Sequence, residues 1–325
     1  MTLSKVKVNN KITPRKIKKF SKISPRKTKE YSQIYGMLLP NLILFAVMSA
    51  YPVIWALRYM FYNYDGISKA EFIGFDNFTR LFMRDPEFWN SVRNTLVYGV
   101  GKIILVLPLA FLIAIILNEK RKGNNFLQAI IFSPTIMSSA VMSLVFYLLF
   151  NVYNGDFNKV LVSLHIINQP LNWMGKDLAM VTVIIVAVWG GLGNYMVYFL
   201  AGLQQVPLEL YESGEMDGTN RFQKMIYITL PMLGPILKII IMLSILSAFQ
   251  DMQSIMVLTE GGPFGKTNVM FLYIYQLYFP ISADGGGMAS SQYGYGAAAS
   301  IIAALIVGVV TVGYLQISKK LDDIY

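Results

Sequence analysis

Two sets of residues in this 325-residue chain carry groups that could do chemistry. The first is the stretch Glu209–Phe222, "ELYESGEMDGTNRF", which places Glu209, Glu212, Glu215 and Asp217 between two strongly apolar segments. The second lies inside an apolar segment, where Ser244, Ser247, Asp251 and Ser254 recur at spacings of three, four and three, flanked by Gln250 and Gln253. On a continuous helix that spacing puts the four on one face. Hydroxyls, amides and a carboxylate on such a face either hydrogen-bond a passing polar solute or hold neighbouring helices together. Asn194 and Tyr195, with Trp189 and Tyr198 nearby, are a weaker set of the same kind in another apolar segment.

Other chemistries find no support. The chain has no cysteine, which excludes disulfides and thiolate metal sites, and its one histidine, His165, sits in a polar loop and reads as a solvated residue. "GGPFGKT", Gly261–Thr267, is similar to a phosphate-binding loop, which needs four residues between its first glycine and Gly-Lys-Thr. Gly261 stands one residue too close, and Glu260 occupies the place of the first glycine. No metal cluster or His-based triad is legible, so the chain reads as non-enzymatic.

The elements that position these residues follow from composition. The chain is 55% hydrophobic and 14% charged, against about 25% charged in soluble domains. Six segments reach the roughly 20 residues that a hydrocarbon core requires: Tyr35–Tyr62, Asn94–Asn118, Phe126–Phe150, Ala179–Leu203, Met232–Leu258 and Ala297–Ile317. The first is too long for a signal peptide, and a polar leader of about 30 residues precedes it. The predicted fold is therefore an all-α membrane protein with six transmembrane helices. Eleven of the 28 Lys and Arg lie within residues 1–30. Such a basic arm suits either nucleic acid or the negative cytoplasmic leaflet, and the membrane spans decide for the leaflet. With the N-terminus inside, inside segments hold 18 Lys and Arg and outside segments 7, so both termini are expected in the cytoplasm. Arg58 and Lys102 fall near the outer ends of their spans and are expected to snorkel. The organisation is then a basic leader (1–34), a first span (35–62), an extracytoplasmic segment (63–93), a membrane core (94–318) containing a cytoplasmic loop (205–231), and a short tail (319–325).

Within that loop, Gly214 and Gly218 are expected to interrupt a helix, because glycine costs about 1 kcal/mol there. Asp217-Gly218 is a turn signal, and Thr219 or Asn220 can cap a second short helix leading to Pro231. Periodicity alone leaves open whether this is a solvated interfacial face or a docking surface.

At this point a resemblance enters. "ELYESGEMDGTNRFQKMIYITLP" resembles the cytoplasmic loop of ABC importer permeases: Glu-Ala-Ala, Gly, nine residues, then Ile-x-Leu-Pro. Glu212 and Gly218 take the acid and glycine places, and Ile228–Pro231 close the motif. Ser213-Gly214 replaces the usual pair of alanines, and Gly214 is expected to loosen the first short helix. "FQDMQSIMVLTEGGPFGKTN", "YGYGAAAS", "YPVIWALRYMFYNY" and "FIGFDNFTRLF" are similar to further segments of maltose-type sugar permeases, so that the likeness covers most of residues 35–320.

The resemblance implies a type I ABC importer permease architecture with no cofactor of its own. ATP and Mg would be bound by a partner ATPase dimer, which grips the loop through Glu212, Ser213, Gly214, Asp217, Gly218 and Pro231, with Glu212 as the leading contact. It further implies a second permease, expected as a heterodimer. An extracellular solute-binding protein would dock on segments 63–93, 151–178 and 259–296. A sugar, favoured as an oligosaccharide, would pass Ser247, Gln250, Asp251, Ser254, Asn194 and Tyr195. The competing class is an ion-coupled secondary transporter, which needs coupling carboxylates near the midplane and often an internal repeat. Only Asp251 is available for that, and no repeat is evident. A membrane-embedded hydrolase or transferase lacks its catalytic residues.

Overall fold

A computed structural model describes residues 25–119, 121–280 and 290–322. Most of the basic leader, the end of the tail and part of the 259–296 segment lie outside the described residues. The chain divides into two units, residues 1–56 and 57–325.

In the first unit, α1 (Pro25–Phe45) passes through a wider π turn at Ala46–Ala50 into α2 (Tyr51–Leu57). The wide turn directly precedes Pro52, which has no N–H to return to the preceding turn. Leu42, Phe45 and Ile54 are exposed, as expected of a helix whose apolar surface meets lipid.

The second unit begins with a 3-10 turn, Arg58–Phe61, and a two-stranded antiparallel ribbon. Strands β1 (Tyr62–Asn63) and β2 (Glu71–Phe72) pair Tyr62 with Phe72 and Asn63 with Glu71. This small ribbon is the one departure from an all-α description among the described residues. Asp65 shapes its turn by accepting from the backbone N–H of Ile67 and Ser68 at 2.9 and 2.7 Å. These bonds, with that of the Ser68 hydroxyl, hold the Asp65 carboxyl down at about 2.

Helix α3 (Asp76–Met83) leads to α4 (Pro86–Asn118), which starts eight residues before the sequence-based span. Asp85 explains the early start. Its side chain accepts from Phe88 N–H at 3.0 Å, with Pro86 in the first turn where no N–H is needed. Helices α5 (Asn124–Ile136) and α6 (Ser139–Leu149) meet at a 96° bend, so the third predicted span is broken rather than straight. Pro134 removes a helical hydrogen bond, Met137 is extended, and Ser138 caps the new helix through Val141 N–H at 3.4 Å. Next come α7 (Asp156–Ser163) and the uninterrupted α8 (Ala179–Leu203). From α7, buried Asn158 ties down the connection to α8 through Leu171 and the Trp173 indole N–H.

The loop contains α9 (Leu208–Met216), α10 (Arg221–Lys224), a π turn at Met225–Thr229 and α11 (Leu230–Met232). Helix α12 (Gly234–Gln250) follows the stretch from Arg221 at a 70° bend. The fifth span therefore ends at Gln250 rather than Leu258, and α13 (Gln253–Thr259) is a separate helix. Helices α14 (Met270–Tyr278) and α15 (Tyr293–Asp322) complete the unit. Among the described residues, four unbroken helical stretches are long and apolar enough to cross a membrane, or up to six if each bent pair counts as one span.

Packing centres on α4 against α8, through Tyr98, Val106, Ala110 and Ala114 on one side and Val183, Ala187, Met196 and Phe199 on the other. Small residues set these distances, as in membranes generally, where close contact replaces the hydrophobic drive. A Cβ on Gly193 would lie 2.8 Å from the backbone of Ile131 and Phe132, so α5 and α8 touch at that glycine. In "YGYGAAAS", a Cβ on Gly294 would meet the Tyr62 carbonyl at 2.0 Å, while its N–H donates to Tyr64 O at 3.1 Å.

Candidate functional site

The corner in the third span and the end of α12 face one cavity of about 500 Å³. Its walls come from α4, the α5–α6 corner, α8, and the junction of α12 and α13. Ser247, Gln250, Asp251, Ser254 and Asn194 all line it, with Gln253. They do so by a route that helical spacing did not anticipate. Asp251 has extended backbone (ψ 113°) and ends α12, so no continuous face links Ser247 to Ser254. Instead Ser254 lies in the first turn of the next helix and donates its hydroxyl to Asp251 Oδ1 at 2.6 Å. Ser244 is buried outside the cavity lining and donates to Ile240 O at 2.7 Å. Tyr195 also departs from expectation: it is buried in the α4–α8 core and is not among the cavity walls, whereas its neighbour Asn194 is.

Sequence reasoning missed the partner of Asp251. Lys102 does not snorkel. It is buried, its Nζ lies 3.5 Å from Asp251 Oδ2, and it donates to Ser247 Oγ at 3.3 Å. The fully buried Tyr98 donates its hydroxyl to the same Asp251 oxygen. The signal was available: a carboxylate and an ammonium each deep in an apolar span are costly alone and so demand each other. Gly190 and Gly191 complete the wall by presenting backbone, and Thr135 Oγ1 donates to Gly190 O at 3.2 Å. The result is a hydroxyl- and amide-lined chamber whose internal charges are paired.

The loop is a folded hairpin rather than a loose strand of acid. Helix α9 runs straight through Gly214, which is buried. Gly214 neither interrupts nor loosens it, because a Cβ there would meet Ile228 and Thr219 side chains at 2.9 Å. Gly218, at φ +75°, makes the turn, and Asn220 forms a reciprocal capping box with Gln223. Tyr211 OH meets Thr229 Oγ1 at 2.9 Å, closing α9 onto the π turn. The ion pair of the loop is Glu215 with Lys224, and the hydrogen bond and charge of Lys224 hold the exposed Glu215 carboxyl below its usual range. Glu212, Ser213 and Asp217 are exposed, and Pro231 lies within α11.

The "GGPFGKT" segment forms a closed turn, with Thr267 Oγ1 donating to Gly262 O at 2.7 Å. Residues 106–322 match the family model of the binding-protein-dependent transport system inner membrane component. This chain belongs to that family. It is accordingly a membrane component of a transport system. The chain is 32% identical to the arabinooligosaccharides transport system permease protein AraP of Bacillus subtilis, over 86% of each chain. It is 31% identical to the trehalose/maltose transport system permease protein MalF of Thermococcus litoralis, over 89% of this chain and 94% of the relative. Among solved structures, a bacterial ABC transporter that imports the acidic polysaccharide alginate superposes with a TM-score of 0.76 at 23% identity, covering 91% of this chain and 98% of that one. That likeness establishes the shared fold of an ABC importer permease.

Proposed function

We propose that this chain is the permease subunit of an ATP-driven, binding-protein-dependent importer of sugars, oligosaccharides in particular, and that its polar cavity is part of the translocation path. The observation that carries this reading is the cavity itself. It sits between the bend of the third span and the end of α12, within the range of about 300–1,000 Å³ typical of small-molecule sites, and offers Ser247, Gln250, Gln253 and Asn194. Hydroxyls and amides both donate and accept, which is what a sugar ring requires. Broken spans at such a chamber are also where backbone groups can face a solute instead of lipid. The relatives transport arabinooligosaccharides and trehalose/maltose by name, and a related importer has been solved with a periplasmic protein bound to an alginate pentasaccharide.

In this reading both termini and the 205–231 loop face the cytoplasm. The loop docks on a separate ATPase dimer that binds ATP and Mg. Glu212, Ser213 and Asp217 form its contact surface, Gly214 and Gly218 set its shape, and Pro231 marks the return to the membrane. A second permease subunit completes the path as a heterodimer, and a solute-binding protein delivers the sugar from outside.

Affinity purification from native membranes tests the assembly. Recovery of a nucleotide-binding subunit and a second permease with the unaltered chain, and loss of the former with Glu212→Lys, is the expected result. Recovery of this chain alone from both preparations, while the membranes still transport, would overturn it in favour of an ion-coupled carrier.

A further inference from the structure

The fold does not decide the charge of the solute, since an importer of the same fold takes an acidic polysaccharide. In this chain the cavity wall decides it. We propose that Asp251 is a specificity-determining residue that masks Lys102, so that the cavity selects uncharged saccharides and rejects acidic ones; this rests on the reading of the cavity as the solute path.

Lys102 and Asp251 are the charged residues among the described cavity walls, and they face each other at 3.5 Å. Their charges cancel within the wall. The masking is built in rather than incidental. Asp251 is held on one oxygen by the buried Tyr98 hydroxyl and on the other by Ser254 at 2.6 Å, so its carboxylate is fixed against Lys102. Lys102 in turn donates to Ser247 at 3.3 Å, which leaves the ammonium engaged on the wall. Side-chain exposures of 7% for Lys102 and 17% for Asp251 keep water from screening the pair. A uronate carboxylate entering this chamber sheds water and meets a cation already neutralised, and an unpaired ion in such surroundings is costly. A neutral saccharide pays no such cost and finds the hydroxyls and amides instead. Removing the Asp251 charge would leave Lys102 as an anion site at the same wall.

The test is equilibrium binding of radiolabelled maltotetraose and tetragalacturonate to the full-length chain, purified in nanodiscs with its co-extracting partners. The unaltered chain is expected to prefer maltotetraose. Asp251→Asn should raise the relative affinity for tetragalacturonate by about tenfold, the scale of one unmasked, partly buried charge. The double variant Lys102→Met/Asp251→Asn, uncharged again, should return to the original preference, which a merely structural role for Asp251 would not produce. Lys102→Met alone leaves the carboxylate unmasked and should instead gain binding of the cationic tetramer of glucosamine, so each single variant is decisive if the other does not fold. An unchanged preference in the folded single variants, or persistent acid binding in the double variant, would overturn the proposal while the sugar path stands. Failure of the unaltered chain to bind either tetrasaccharide would remove the cavity as a sugar site, and the proposal with it.

Discussion

Tyr273 donates its hydroxyl to Asp85 Oδ2, joining the residue that caps α4 to the middle of α14. Tyr295, at the start of α15, donates to the same oxygen, and its ring lies under the Arg80 guanidinium at 4.0 Å. One carboxylate thus gathers the N-terminal ends of two membrane helices and a connecting helix. Tyr273→Phe keeps the ring and removes one hydrogen bond to a charged acceptor. It should lower stability by about 1.5 kcal/mol. Asp85→Ala also removes the helix cap and should cost more, about 2–4 kcal/mol. Thermal unfolding of the purified chain in detergent measures both.

The same site confers acid sensitivity. Burial pushes the Asp85 carboxyl up, but hydrogen bonds from Tyr273, Tyr295 and the backbone N–H groups of Phe88 and Glu87 outweigh it, leaving the group below its ordinary 3.8. A depressed value means that the folded chain binds this proton less readily than the unfolded chain. The contribution to stability is full above about pH 3.8 and disappears as pH falls through the depressed value. Melting temperature should therefore fall over that acid range in the unaltered chain and more shallowly in Asp85→Asn.

Gly193→Ala should separate α8 from α5. The new methyl would stand 2.8 Å from Ile131 O and Phe132 Cα, which are backbone atoms that cannot rotate away. A loss of about 1–3 kcal/mol is expected. At Gly190 the atoms in the way, at 2.6 and 2.7 Å, belong to the flexible end of Met142. Gly190→Ala should cost less than about 1 kcal/mol, and paired melting curves would resolve the difference.

In the loop the two glycines should fail for different reasons. Gly218→Ala meets no neighbour within 4 Å, but its φ of +75° is disfavoured with a side chain, by about 1–2 kcal/mol. Gly214→Ala keeps a helical backbone and instead displaces Thr219, whose hydroxyl donates to Gly214 O at 2.6 Å. Both variants should speed proteolytic cleavage between residues 208 and 224. Adding Thr219→Ala, which removes one of the two obstructing side chains and leaves only the flexible end of Ile228, should partly restore packing around Gly214→Ala but not around Gly218→Ala.

Glu212→Lys tests the proposed docking directly. The residue is exposed on α9, outside the Glu215–Lys224 pair that holds the hairpin. The melting temperature should stay within about 0.5 kcal/mol equivalent of the unaltered chain, while co-purification of an ATPase is lost. A variant that melts early would point to a structural role instead.

The sequence alone determined the membrane class, the six apolar segments, the acidic loop with its Gly218 turn and a cap at Thr219 or Asn220, and the polar cluster at Ser247–Ser254. All of these are local quantities: hydropathy over about 20 residues, a glycine at a turn, a cap three residues before its partner. What it misjudged were relations between distant segments. Gly214 reads as a helix breaker by propensity, yet it is a contact point because Ile228 lies against it. Asp251 and Ser254 read as one helical face, yet the chain breaks between them and a hydrogen bond reunites them. Tyr195 and Asn194 are neighbours in sequence, but one faces the core and the other the cavity. Lys102 stands 149 positions from Asp251, and no local pattern chooses its partner. Only the packing of α4 against the end of α12 brings that ammonium to that carboxylate, because the cost of burying either charge alone is met by their contact across the fold.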